Sequence, residues 1–126
     1  MKLLWCTLHV ADMARSLAFY QEVVGLKLVR RFSTPDADIA FLEDGGSQLE
    51  LIRDVGRAAP SVGDGISLGF EVSSLDSALQ MVAARGIPVL AGPIAPGPRT
   101  RFFFIKDPDG YWVEIISNTV RASMVR

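Results

Sequence analysis

Leu8-His9-Val10-Ala11-Asp12-Met13-Ala14-Arg15-Ser16-Leu17 lies over Phe70-Glu71-Val72-Ser73-Ser74-Leu75-Asp76-Ser77-Ala78-Leu79, a weak repeat carried mainly by its apolar pattern. In both stretches an apolar strand pattern gives way to a capping residue and then to helical spacing. Residues 2–10 read as a strand, and Asp12 as the cap of a helix bearing Met13, Leu17, Tyr20, Val23 and Val24. Gly25 is placed to end that helix in a left-handed conformation. Strands are expected over Leu26–Phe32, Ile39–Glu43 and Ser47–Arg53, with turns at Ser33–Asp36 and at Asp44-Gly45-Gly46.

After an Asp54–Gly65 linker rich in Gly, Ala, Pro and Ser, the order starts again. Ile66–Val72 reads as a strand, Ser74 as a helix cap and Gly86 as the stop. Ile87–Leu90, Arg101–Lys106 and Tyr111–Ser117 read as strands, Gly92–Pro98 as a Pro/Gly-rich loop, and Asp107-Pro108-Asp109-Gly110 as a structural turn. The residues after Asn118 read as a short tail compatible with a helix. The expected fold is α+β: one domain over residues 1–126, with βαβββ units at 2–53 and 66–117 forming curled mixed sheets around a cleft.

A chain of 126 residues is one domain's worth, and 49% apolar with 21% charged residues is ordinary for a globular protein. A net charge of −1 without a long basic run argues against a nucleic-acid footprint. Charge or glycine interrupts every apolar stretch well short of the ~20 residues of a membrane span, and the start lacks the pattern of a secretory signal. The single cysteine, Cys6, excludes an internal disulfide, fits a cytoplasmic location and reads as a small buried hydrophobe.

The chemistry concentrates in two matching strands. Gln48-Leu49-Glu50-Leu51-Ile52 and Trp112-Val113-Glu114-Ile115-Ile116 each set a carboxylate among strand formers. Such a group is costly to bury without a proton, a cation or hydrogen-bond donors. Either the two glutamates share a ligand site, or they face water or pair with Arg53, Arg99 or Arg101. His9, the only histidine, shares strand parity with Trp5 and Thr7, so all three face one way. It can meet a ligand carboxylate or move protons, or it is a half-buried ring held by a backbone carbonyl. Trp112 shares the parity of Glu114, and Phe102, Phe103 and Phe104 cover both faces of their strand.

The chain resembles the vicinal oxygen chelate superfamily, whose members include glyoxalase I, bleomycin-resistance proteins and extradiol dioxygenases. The resemblance runs from Leu3 to Ser117. Its best local evidence is Asp12–Tyr20, closing on Val24-Gly25-Leu26, and Asp107–Glu114. The pattern lies nearest to glyoxalase I (lactoylglutathione lyase). That resemblance implies a divalent metal held by two histidines and two glutamates. The glutamates fall on Glu50 and Glu114, as ligands and catalytic base, while the histidine positions fall on Trp5 and Ser67. Half of the donor set is missing.

Two functions follow as expectations. One is a metal-free binding protein of bleomycin-resistance type, in which Trp5, Thr7, His9, Ser67, Arg101 and Trp112 contact an aromatic or cationic small molecule. The other is a glyoxalase-type lyase using Mg, Mn, Ni or Zn on a hemithioacetal or related carbonyl substrate. An extradiol dioxygenase needs two histidines and a carboxylate around iron, which one histidine cannot supply. The resemblance also implies a homodimer in which the first unit of one chain meets the second unit of the other.

Overall fold

The computed structural model describes residues 1–118 and divides the chain into two compact units, residues 1–62 and 63 onward. The first holds β1 (Trp5–His9), α1 (Met13–Ala18), a π-helical turn (Phe19–Val23), β2 (Lys27–Ser33), β3 (Ala37–Glu43) and β4 (Gln48–Asp54). The second holds β5 (Ser67–Glu71), α2 (Leu75–Ala84), β6 (Ala91–Gly97), β7 (Thr100–Lys106) and β8 (Trp112–Asn118). The sheets run β1-β4-β3-β2 and β5-β8-β7-β6, with β1/β4 and β5/β8 parallel and the remaining pairs antiparallel. These are the expected α+β class, the expected duplication and the expected mixed sheets. The proposed tail lies outside the described residues.

Local chemistry explains where the helices begin. Asp12 and Ser74 are extended, and each side chain accepts the amide three residues on, at 3.1 Å from Arg15 and 3.2 Å from Ser77. Gly25 and Gly86 follow the helices at φ of +88° and +70°, the left-handed conformation that glycine adopts without a Cβ penalty.

The first helix departs from the simple periodicity. After Ala18 the ladder widens, with the Val24 amide donating to the Phe19 carbonyl. The wider turn brings the adjacent rings of Phe19 and Tyr20 inward together, edge to face at 5.0 Å, and leaves Val23 and Val24 half-buried.

Each sheet buries one face. Leu8, Val10, Ala40, Leu42, Leu49 and Leu51 form the core with Met13, Leu17 and Tyr20 in the first unit. Phe103, Ile105, Val113 and Ile115 do so with Leu75, Ala78 and Val82 in the second. Phe103 is therefore core, and Phe102 and Phe104 project from the other face.

Three expectations are corrected. Ile87–Leu90 is not a strand, because the Ile87 amide donates to the Val82 carbonyl at the end of α2 and Pro88 has no amide. The strand is Ala91–Gly97, which takes up most of the Gly92–Pro98 segment expected to be a loop. It pairs with β7 only at Ala91, Ile94 and Gly97, and Pro93 and Pro96 fall at the irregularities between these pairs, on an edge strand that tolerates missing donors. Cys6 is exposed rather than buried. It shares the parity of the buried Leu8 but lies on an edge strand with a paired neighbour on one side only.

Side-chain oxygens hold the tight turns. Asp107 Oδ1 accepts the amides of Asp109, Gly110 and Tyr111, each at 2.9 Å, and the residue is buried. Asp107→Ala strands these donors and is expected to lower stability by about 1–3 kcal/mol in urea unfolding, with Asp107→Asn costing clearly less. Asp44 Oδ1 accepts the amides of Gly46 and Ser47 at 2.8 and 2.9 Å. The Ser47 amide first, then the Gly46 amide, holds its carboxyl below the usual carboxylate range. A depressed carboxyl stabilises the fold above its unfolded pKa and ceases to do so as pH falls through the folded value. The stability difference between the wild-type chain and Asp44→Asn should therefore be constant near neutral pH. It should shrink progressively below about pH 4 when unfolding midpoints are followed against pH.

Candidate functional site

In the first unit the parallel pairing sets Trp5 opposite Gln48, Thr7 opposite Glu50 and His9 opposite Ile52. The antiparallel partner on the other side of Glu50 is Phe41. The half-buried Glu50 carboxylate meets the Thr7 hydroxyl, which donates to Oε1 at 2.6 Å. This bond supplies one of the donors that a strand carboxylate requires. Trp5 packs edge-on against Phe41, with centroids 5.2 Å apart and planes at 79°. The Arg30 guanidinium lies 4.6 Å from the centre of Phe41 and 5.1 Å from that of Phe32, within cation–π range. His9 Nδ1 stands 2.7 Å from Asp54 Oδ2.

The second unit repeats the layout with altered contents. Gly69 stands opposite Glu114, Ser67 opposite Trp112 and Phe104 opposite Glu114. A Cβ at Gly69 would lie 3.3 Å from Glu114 Oε1, so the carboxylate occupies the space that a side chain would need. Thr7 and Gly69 are equivalent in the repeat. The hydroxyl that satisfies Glu50 therefore has no counterpart beside Glu114, which makes no side-chain hydrogen bond or ion pair among the described residues. Trp112, Phe104 and Phe102 form an edge-to-face series, with centroids 5.3 and 5.8 Å apart. A recess of about 190 Å³ opens beside Ser67, Phe104 and Trp112.

The structure thus gathers Trp5, Thr7, His9 and Glu50 on one face of the first sheet, and Ser67, Trp112 and Glu114 on one face of the second. Arg101 is not with them. It shares the parity of the core residue Phe103, and its NH1 donates to Asp76 Oδ1 of α2 at 3.4 Å. Neither Arg53 nor Arg101 pairs with a glutamate, since Arg53 Nε donates to the Ala11 carbonyl at 3.1 Å. Sequence reading missed Asp54, which period-two counting from Glu50 places on the same face. It also missed Phe41 opposite Glu50 and left the face of Phe104 open, both of which the strand register settles.

Two βαβββ units, each presenting a glutamate from an inner strand, define the glyoxalase-type two-module class. The chain belongs to the Glyoxalase/Bleomycin resistance protein/Dioxygenase superfamily, whose sequence model matches residues 2–115. Among curated relatives, the lactoylglutathione lyase of Haemophilus influenzae is 35% identical, covering 94% of this chain and 93% of its own. That of Neisseria meningitidis serogroup A is 34% identical, covering 92% and 90%. The trypanothione-dependent glyoxalase I of Leishmania major shares the fold at a TM-score of 0.85 and 22% identity, over 99% of this chain and 92% of that one. Glyoxalase I from Zea mays aligns at a TM-score of 0.82 and 26% identity, over 93% of this chain and 44% of that one.

The four positions that the resemblance assigns to a metal hold Trp5, Glu50, Ser67 and Glu114. These residues do not fit a nitrogen-preferring metal. The Trp5 indole offers a donor N–H and no lone pair, its ring is packed on Phe41, and Glu50 already accepts a hydroxyl.

The Thr7–Glu50 bond is testable by a double-mutant cycle. Thr7→Val is expected to cost about 1 kcal/mol in the wild-type background and markedly less in Glu50→Gln, where the charge assistance is gone. Additive effects in urea unfolding would show that the bond contributes nothing to stability.

Proposed function

We infer that this chain is a glyoxalase-superfamily protein that binds a small aromatic or cationic molecule without catalytic metal, in the manner of the bleomycin-resistance proteins. The observation that carries this reading is the replacement of both expected imidazoles by Trp5 and Ser67, with both carboxylates kept beside aromatic rings. A carboxylate with an aromatic ring opposite it suits a cation that also stacks. The second unit offers the more open version of this pairing, because Glu114 has Gly69 where Glu50 has Thr7. The homodimer implied by the resemblance belongs to the same proposal and is read by sedimentation.

One specific observation favours a second reading. Relatives named lactoylglutathione lyase are 31–35% identical over nearly the whole chain, and the two glutamates of that pattern are present. In this reading a divalent metal and a glutamate base act on a hemithioacetal or related carbonyl substrate.

Elemental analysis and a hemithioacetal isomerisation assay with and without Ni²⁺, Mn²⁺ and Mg²⁺ separate the two. The binding reading expects no stoichiometric metal, no turnover, and quenching of Trp112 fluorescence in a Trp5→Phe background by an aromatic ammonium compound. In that titration Glu114→Gln is expected to weaken binding about tenfold. Metal bound through Glu50 and Glu114 with turnover would replace it by the lyase reading.

A further inference from the structure

A cavity of about 380 Å³ in the first unit lies past the end of the β1/β4 ladder, away from Trp5. Its lining combines His9, Arg53, Asp54 and Arg57 with an apolar wall of Val10, Ala58, Ala59 and Pro60. The volume falls within the range of small-ligand sites. Two guanidiniums against one carboxylate leave it net positive, whereas the chain as a whole carries −1.

The two arginines are held differently. Arg53 is fixed at the wall by its Nε bond to the Ala11 carbonyl. Its charge is shared with Asp38, whose carboxyl is held below the usual range mainly by a hydrogen bond from Arg31, with a smaller attraction from Arg53. Arg57 makes no side-chain hydrogen bond or ion pair among the described residues. Asp54 Oδ2 lies 2.7 Å from His9 Nδ1, so one of its oxygens already has a partner.

We propose that this cavity is a binding site for a phosphate monoester, the phosphate held by Arg57 and Arg53 and a small organic group lying on Val10, Ala58, Ala59 and Pro60. A guanidinium fork matches phosphate oxygens two at a time, and two forks suit a dianion better than a monoanionic carboxylate. Asp54 on the same lining repels an anion, so its charge limits affinity.

Isothermal titration of the full chain with phenyl phosphate, inorganic phosphate and acetate tests the site. Phenyl phosphate is expected to bind most tightly and acetate most weakly. Arg57→Ala should weaken phenyl phosphate about tenfold or more without moving the thermal unfolding of the free protein, because the side chain is exposed and unpaired among the described residues. Asp54→Asn should tighten it by removing the opposing charge. Acetate binding as tightly as phosphate, or unchanged affinity in Arg57→Ala, overturns the assignment, and so does weakening by Asp54→Asn. The ammonium titration at Trp112 reads a different face with a probe of opposite charge, so either proposal can fail while the other stands.

Discussion

Everything functional in this chain hangs on one backbone constraint: the last strand of each unit returns to pair in parallel with the first. β4 inserts between β1 and β3, and β8 between β5 and β7. A strand at that inner position has hydrogen-bonded neighbours on both sides, and its outward side chains sit between two fixed rows. Glu50 therefore has Thr7 on one side and Phe41 on the other, and Glu114 has Gly69 and Phe104. Parallel pairing requires a long connection, which in each unit contains the helix and two strands. The helix then covers the opposite face, which is why the core and the candidate site occupy opposite sides of the same sheet.

Much of this was legible in the residues. Asp12 with Gly25 and Ser74 with Gly86 bracket the helices by local chemistry, independent of tertiary context. Alternation around Glu50 and Glu114 assigned faces correctly for Trp5, Thr7, His9 and Trp112. Three things were not legible, each because it depends on partners distant in sequence. Pro93 and Pro96 argue for a loop until one knows that their strand is at an edge and pairs only at Ala91, Ile94 and Gly97. The π-helical turn at Phe19–Val23 leaves a nearly helical pattern, so its change of face is invisible to periodicity. Arg101 stands opposite Ser117, at the far end of the β7/β8 ladder from Trp112, and parity turns it to the helix side, where Asp76 takes it.

The two carboxylates began as copies and no longer share an environment. The Thr7 hydroxyl draws Glu50 into a short bond within its own sheet, while the Glu114 carboxylate lies over Gly69, which offers it no side-chain donor, with Phe104 opposite on the other side. A charge committed to an internal donor has less to offer a ligand than one without such a donor. The repeat supplies the geometry twice, and a single side chain at the equivalent of position 7 separates the two environments.

The indoles carry a final consequence. Trp5 faces Gln48 and Ser67 faces Trp112, so each unit places one tryptophan on the same rung but on opposite strands. Placing an imidazole at position 67 adds a ring to an exposed site beside an existing indole. At position 5 it removes the partly exposed indole that packs edge-on against Phe41. The route from this chain to a four-donor centre is therefore asymmetric: one replacement adds a ring beside an indole, and the other gives up an indole–phenylalanine contact.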